Sequence, residues 1–153
     1  LKLTQYSNYA LRSLQFAALR SPDLCRVDDV AAAHGISRAH IMKVVHEMGQ
    51  AGFLETVRGR GGGFRLARKP ETITVGEVLR VTEGPFELVE CFNAATNRCP
   101  LIGICRLSRA IGEAMAAFIA VLDDVTIADI AANKKSLLTR LEAATAEALP
   151  KPG

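Results

Sequence analysis

The hydrophobic period of this chain changes at Gly52, and that change narrows the folds open to it. Before Gly52 apolar residues recur at helical spacing, and after it they alternate. Upstream, Val27–His34 reads as a short helix stopped by Gly35 at the position past its C-terminus. Ser37 then caps a longer helix, SRAHIMKVVHEMGQA, whose Ile41, Val44, Val45 and Met48 fall on one buried face. Two helices joined by a tight glycine turn form the helix-turn-helix pattern. Downstream, Phe53–Arg58 and Gly63–Arg68 alternate apolar and polar around Gly59-Arg60-Gly61-Gly62, which is a β-hairpin with a glycine-rich tip. Placed directly after a helix-turn-helix, that hairpin is the wing of a winged helix. A nucleotide-binding phosphate loop is not matched: neither G-x-G-x-x-G nor G-x-x-x-x-G-K-[ST] occurs, and no helix follows the glycines.

This pattern makes double-stranded DNA the expected partner. Ser37, Arg38, His40 and Lys43 lie near the start of the second helix, the part that meets base edges in this motif. Arg58, Arg60 and Arg65, with Gly61 between them, suit a wing tip entering a narrow minor groove, whose negative potential attracts arginine. Charge is distributed accordingly. Residues 1–70 hold 11 Lys/Arg against 5 Asp/Glu, and residues 71–153 hold 8 against 11, so a basic half precedes an acidic one. His40 and His46 are six apart and share no helical face, so they make a poor metal pair. His40 is better placed for a base or phosphate.

Around this module the chain is mainly helical. Thr4–Leu19 is an amphipathic helix with Thr4 as cap, broken by Ser21-Pro22-Asp23. Val75–Val81 is a short helix capped by Thr74 and ended by Gly84-Pro85. From Arg106 a stripe of Leu107, Ile111, Ala114/Met115, Phe118 and Leu122 runs to Asp123-Asp124. A long helix leaving a small domain rarely buries such a stripe alone, so it reads as a dimerisation helix; packing within its own chain stays open. Thr126–Ala131 opens another helix with a Thr-x-x-Asp cap, and residues beyond Leu141 read as a fraying helix and loose tail. The expected division is residues 1–82 winged helix-turn-helix, 83–105 cysteine loop, 106–141 dimerisation and C-terminal helices, and 142–153 flexible tail. The fold class is mainly α with one small β-hairpin.

Glu90–Leu107, ECFNAATNRCPLIGICRL, carries three of the four cysteines, Cys91, Cys99 and Cys105, spaced C-x7-C-x5-C. Small polar residues fill the first gap, Pro100 forces an extended or turn conformation on Cys99, and a helix opens directly after Cys105. Three readings compete for this loop. A disulfide would leave an odd cysteine and want an oxidising compartment. Zinc usually takes four ligands at closer spacing. Iron–sulfur clusters accept looser spacings and one non-cysteine ligand. No run of 18 uncharged apolar residues occurs and LKLTQYSNYALR has no signal-peptide core, so a cytoplasmic protein with reduced thiols and no membrane contact is expected. A thiol enzyme using Cys99 or Cys105 as nucleophile is disfavoured, because there is no C-x-x-C pair and no His or acid lies near either in sequence.

Over nearly its full length the chain resembles the IscR/NsrR/RirA-type winged-helix regulators that carry an iron–sulfur cluster. The opening LKLTQYSNYALR, ISRAHIMKVVHEMGQAGFLETVRG, the wing GRGGGFRLAR, the three-cysteine loop and TIADI carry the likeness. It implies a homodimeric bacterial repressor on a pseudo-palindromic operator, with Cys91, Cys99 and Cys105 as ligands of a [4Fe-4S] cluster, or alternatively a [2Fe-2S] one. Cys25 matches no ligand position and is expected to be structural. Within the family the likeness is greatest to the nitric-oxide-sensing NsrR branch, through Ser37-Arg38-x-His40-x-x-Lys43 and Cys105-Arg106-Leu107. The iron-responsive RirA branch comes second, through Val81-Thr82-Glu83, Glu90-Cys91-Phe92 and Asn8. A cluster-free regulator whose thiols sense oxidants is a third alternative. Asn8 stands where the NsrR pattern has an aspartate that can complete the partner subunit's cluster, and Ser108 where the IscR pattern has a histidine. The fourth ligand therefore stays open: Asn8 is the candidate position, with a water, a small thiol or a nearby carboxylate as the alternatives.

Overall fold

A computed structural model describes residues 2–148 of the 153. Seven helices and one hairpin follow in order: α1 Gln5–Arg20, α2 Val27–His34, α3 Arg38–Gln50, β1 Leu54–Val57, β2 Gly63–Leu66, α4 Val75–Glu83, α5 Arg106–Asp123, α6 Ile127–Ile130 and α7 Lys134–Ala148. Helix starts follow local chemistry. The hydroxyls of Thr4, Ser37 and Thr74 accept the backbone N–H groups of Ser7, His40 and Glu77, and Thr126 with Asp129 forms a reciprocal capping box. Gly35 ends α2 at φ 63°, a conformation other residues avoid.

One core lies beneath the helix-turn-helix and wing. Ala10, Leu14 and Ala17 of α1 meet Val30 of α2, Ile41, Val44 and Met48 of α3, and Phe53 and Phe64 of the hairpin, all buried. β1 and β2 pair antiparallel, Leu54 with Leu66 through Val57 with Gly63. Cys25, just before α2, joins this ladder: its N–H donates to Phe64 O at 2.7 Å and Phe64 N–H returns a bond to Cys25 O at 2.8 Å. Gly63 permits that approach, since a Cβ there would run into the Cys25 carbonyl. Cys25 is 1% exposed and burial pushes its thiol up to about 11, which fits the structural role expected of it.

Two extents differ from the sequence expectation. α4 continues to Glu83 instead of ending at Val81, because Thr82 and Glu83 are held by α1: Ser7 Oγ donates to Thr82 Oγ1 at 2.7 Å and Thr4 N–H to Glu83 Oε1 at 2.7 Å. The tail expected from residue 142 is helix as far as Ala148, with 149–153 outside the described residues. α7 packs along α2, Leu141 touches the core, and Glu142 faces Arg20 at 3.9 Å. Tertiary contact thus sustains a helix that local sequence leaves marginal.

Candidate functional site

The three loop cysteines line one cavity of about 200 Å³, walled also by Val89, Leu107 and Ile111. Cys91 sits in a single 3₁₀ turn, Glu90–Phe92, and Phe92 lies over Gly112 of α5. Cys105 is the residue immediately before α5 and makes no side-chain cap bond, so its sulfur is free at the positive end of an 18-residue helix. Cys99 is placed by its neighbour: its N–H donates to Asn97 Oδ1 at 2.9 Å. Asn93 accepts Ala95 N–H at 3.0 Å, and Glu90 Oε1 accepts Arg98 N–H at 2.9 Å. The polar loop residues thus satisfy backbone donors that no helix or strand serves. Cys91 Sγ lies 3.4 Å from Ser108 Oγ.

Three thiols lining one cavity are a donor set of the kind that suits a soft metal centre, an iron–sulfur cluster among them. Among the described residues no three His, Cys, Asp or Glu side chains converge closely enough to hold one metal ion. All four cysteines are free thiols, and the three in the loop are half-buried.

The cavity is tied to the rest of the fold through α5. None of its residues is buried; Leu107 (65% exposed), Ala110, Ala114, Ala117 and Val121 (64%) form an exposed apolar stripe, whereas Ile111, Met115, Phe118 and Leu122 of the expected stripe are half-buried in their own chain. At its far end α5 is clamped. Arg80 of α4 donates through both terminal nitrogens to Asp123, each at 2.6 Å. Directly beyond, Val75 N–H bonds Val125 O and Ile127 N–H bonds Ile73 O, both at 2.8 Å. Residues 73–75 and 125–127 therefore form a miniature ladder between the winged-helix module and the segment that follows α5.

The expected DNA-facing residues are all exposed, but they are not equally free. Ser37 is engaged as the α3 cap. Arg38 Nε donates to Asp28 Oδ1 at 2.8 Å, and Lys43 lies 3.8 Å from Glu47. His40 is exposed beside the Tyr9 ring, centroids 5.9 Å apart. Arg65 pairs across the hairpin with Glu55, whose carboxyl it holds below the usual range by hydrogen bonding. Arg58 and Arg60 are exposed and have no ion-pair partner among the described residues. Arg26, which the sequence reading passed over, lines a groove of about 530 Å³ together with Arg60 and Gly61.

Asn8 is not in the thiol cavity of its own chain. It is exposed on α1 and lines a separate groove of about 310 Å³ with Arg12 and His34. His34 Nε2 is buried there without a hydrogen-bond partner, and burial, aided by Arg12, lowers its pKa.

Comparison with known proteins agrees with this layout. Residues 3–133 match the family described as "Rrf2: Iron-dependent Transcriptional regulator". The chain is 44% identical to the HTH-type transcriptional regulator NsrR of Bacillus subtilis over 143 residues, covering 93% of this chain and 98% of that one. NsrR of Bacillus licheniformis is 47% identical over 135 residues, 88% of this chain and 94% of its own. Protein aau3 of Rhizobium meliloti is 41% identical over 130 residues, 85% and 84%. Among solved structures, CymR, the global cysteine regulator of B. subtilis, superposes with a TM-score of 0.72 at 26% identity, covering 86% of this chain and 97% of that one. IscR of T. potens shares the fold, with a TM-score of 0.66 at 22% identity, covering 99% and 94%.

Proposed function

The chain belongs to the Rrf2 family of transcriptional regulators, and from that premise we propose that it is a repressor whose hold on DNA is set by an iron–sulfur cluster. Cys91, Cys99 and Cys105 bind the cluster as thiolates, the last at the start of α5, where the helix dipole favours negative charge. When bound, the cluster supplies the reactive iron to which nitric oxide adds. The chain's own residues do the rest. Val89 and Ile111 wall the cavity beside the thiolates, and Asn97 holds Cys99 in place. The exposed stripe of α5 pairs with the same stripe of a second copy, which sets the separation of two α3 helices on a two-fold operator. The single observation that carries this reading is the cavity shared by three cysteines at one end of a helix whose other end is clamped to the winged-helix module.

Nitric oxide is the favoured signal, because the relatives named NsrR match over most of the chain. Asn8 favours a second reading. A neutral amide is a poor iron ligand, so one iron without a strong fourth ligand would be lost readily when iron is scarce. Protein purified without oxygen is expected to show broad visible absorption and about four irons per chain, the count for a [4Fe-4S] cluster. Titration with nitric oxide, and separately with an iron chelator, while DNA binding is followed by anisotropy, distinguishes the two signals. Colourless protein with three titratable loop thiols contradicts the cluster reading.

A further inference from the structure

The contact between Asp28 and Arg38 adds little to the stability of the fold. Both side chains are more than half exposed, 57% and 60%, and exposed ion pairs contribute little to stability. What the contact does is fix a long, mobile side chain. Arg38 is the first residue of α3, and Asp28 lies in the first turn of α2, so the pair bridges the two helices of the helix-turn-helix where they face outward. Asp28 Oδ1 accepts from Arg38 Nε at 2.8 Å, and Nη1 points at the sulfur of Met42 one turn along α3. A carboxylate on Nε and a thioether beneath Nη1 hold the guanidinium in one orientation. Nη1 carries a second N–H, and this with one from Nη2 gives a parallel pair that matches O6 and N7 of guanine.

We propose that Asp28 and Arg38 act as one base-reading unit, with Asp28 as a positioning residue that makes Arg38 selective for guanine in the major groove. The proposal rests on the reading of α3 as the DNA-contacting helix. A competing role for Asp28 is simple repulsion of phosphate, which would weaken binding to every duplex alike.

The test is selection from a pool of randomised duplex DNA by the full-length protein, purified without oxygen. Wild type, Asp28→Ala, Arg38→Ala and Arg38→Lys are compared, with thermal unfolding confirming that each variant is folded. The wild type is expected to select a guanine at one equivalent place in each half-site. Asp28→Ala and Arg38→Ala should both lose discrimination there by about tenfold and leave other positions unchanged. Arg38→Lys should not restore it, since an ammonium lacks the two-pronged edge. If Asp28→Ala tightens binding to all duplexes equally with the motif intact, Asp28 only repels phosphate and the proposal fails. It fails also if Arg38→Ala retains the guanine preference. A wild type that selects no motif would overturn the reading of α3 itself, and so is distinguishable from either result.

Discussion

Asp123, the last residue of α5, receives both terminal nitrogens of Arg80 from α4 at 2.6 Å each, although 43 positions separate them in sequence. Hydrogen bonding from Arg80 holds the Asp123 carboxyl below its usual range, so the contact is an ion pair at any physiological pH. Behind it, Gly76 leaves no room for a side chain, because a Cβ would collide with Asp123. The long helix is thus fixed to the winged-helix module at one end and to the cysteine loop at the other.

Breaking that fixed end should uncouple the two functions. Arg80→Ala is expected to load its cluster normally and to bind DNA, but the ratio of affinities with and without the cluster should fall about fivefold or more. Anaerobic anisotropy on loaded and stripped protein measures it. An unchanged ratio would mean that the signal does not pass through the clamp.

The four cysteines should separate cleanly by chemistry. Cys91→Ala, Cys99→Ala and Cys105→Ala are each expected to abolish stoichiometric iron loading, whereas Cys25→Ala should keep it. In folded, cluster-free protein at pH 8, iodoacetamide should modify the loop thiols and spare Cys25, which is 1% exposed and has its pKa raised to about 11 by burial. Mass spectrometry of peptides reads this directly. Rapid modification of Cys25, or a Cys99→Ala protein with full iron content, would overturn the assignment.

On the wing, Arg60→Ala should weaken binding to all duplexes and reduce the salt slope by about one unit, as expected for a lost phosphate or groove cation. Arg65→Ala should do less, because Glu55 already occupies its guanidinium. Equal losses at the two positions would mean that the pair opens on DNA.

Asn8 tests the fourth ligand. It does not line the thiol cavity of its own chain, so the cavity it would complete is the partner's. Asn8→Asp is expected to slow cluster loss to an iron chelator, since a carboxylate binds iron better than a neutral amide. Identical decay curves, recorded without oxygen, would place residue 8 outside the iron's ligands.

Much of this architecture was legible because it is written locally. The caps at Thr4, Ser37, Thr74 and Thr126, the stop at Gly35 and the change of period at Gly52 all depend on residues within a few positions of each other. Contacts between distant segments were not. The Arg80–Asp123 clamp, the ladder joining residues 73–75 to 125–127, and the packing of α7 on α2 leave no periodic trace. The thiol site was legible in part. Spacing placed three cysteines in one loop, and the fold adds that they share one cavity. Arg26 and Asp28 were missed because a lone charge before a helix or in its first turn reads as capping or solvation, and its partners come from elsewhere in the chain.

The central claim is that occupancy of the cysteine cavity governs DNA binding, and one titration addresses it most directly. Cluster-loaded protein, without oxygen, is mixed with its selected duplex, and visible absorption and DNA anisotropy are recorded together as nitric oxide is added stepwise. The two signals are expected to fall together, with affinity lower by about tenfold or more once the cluster absorption is gone. Full retention of DNA after complete loss of that absorption would contradict the account.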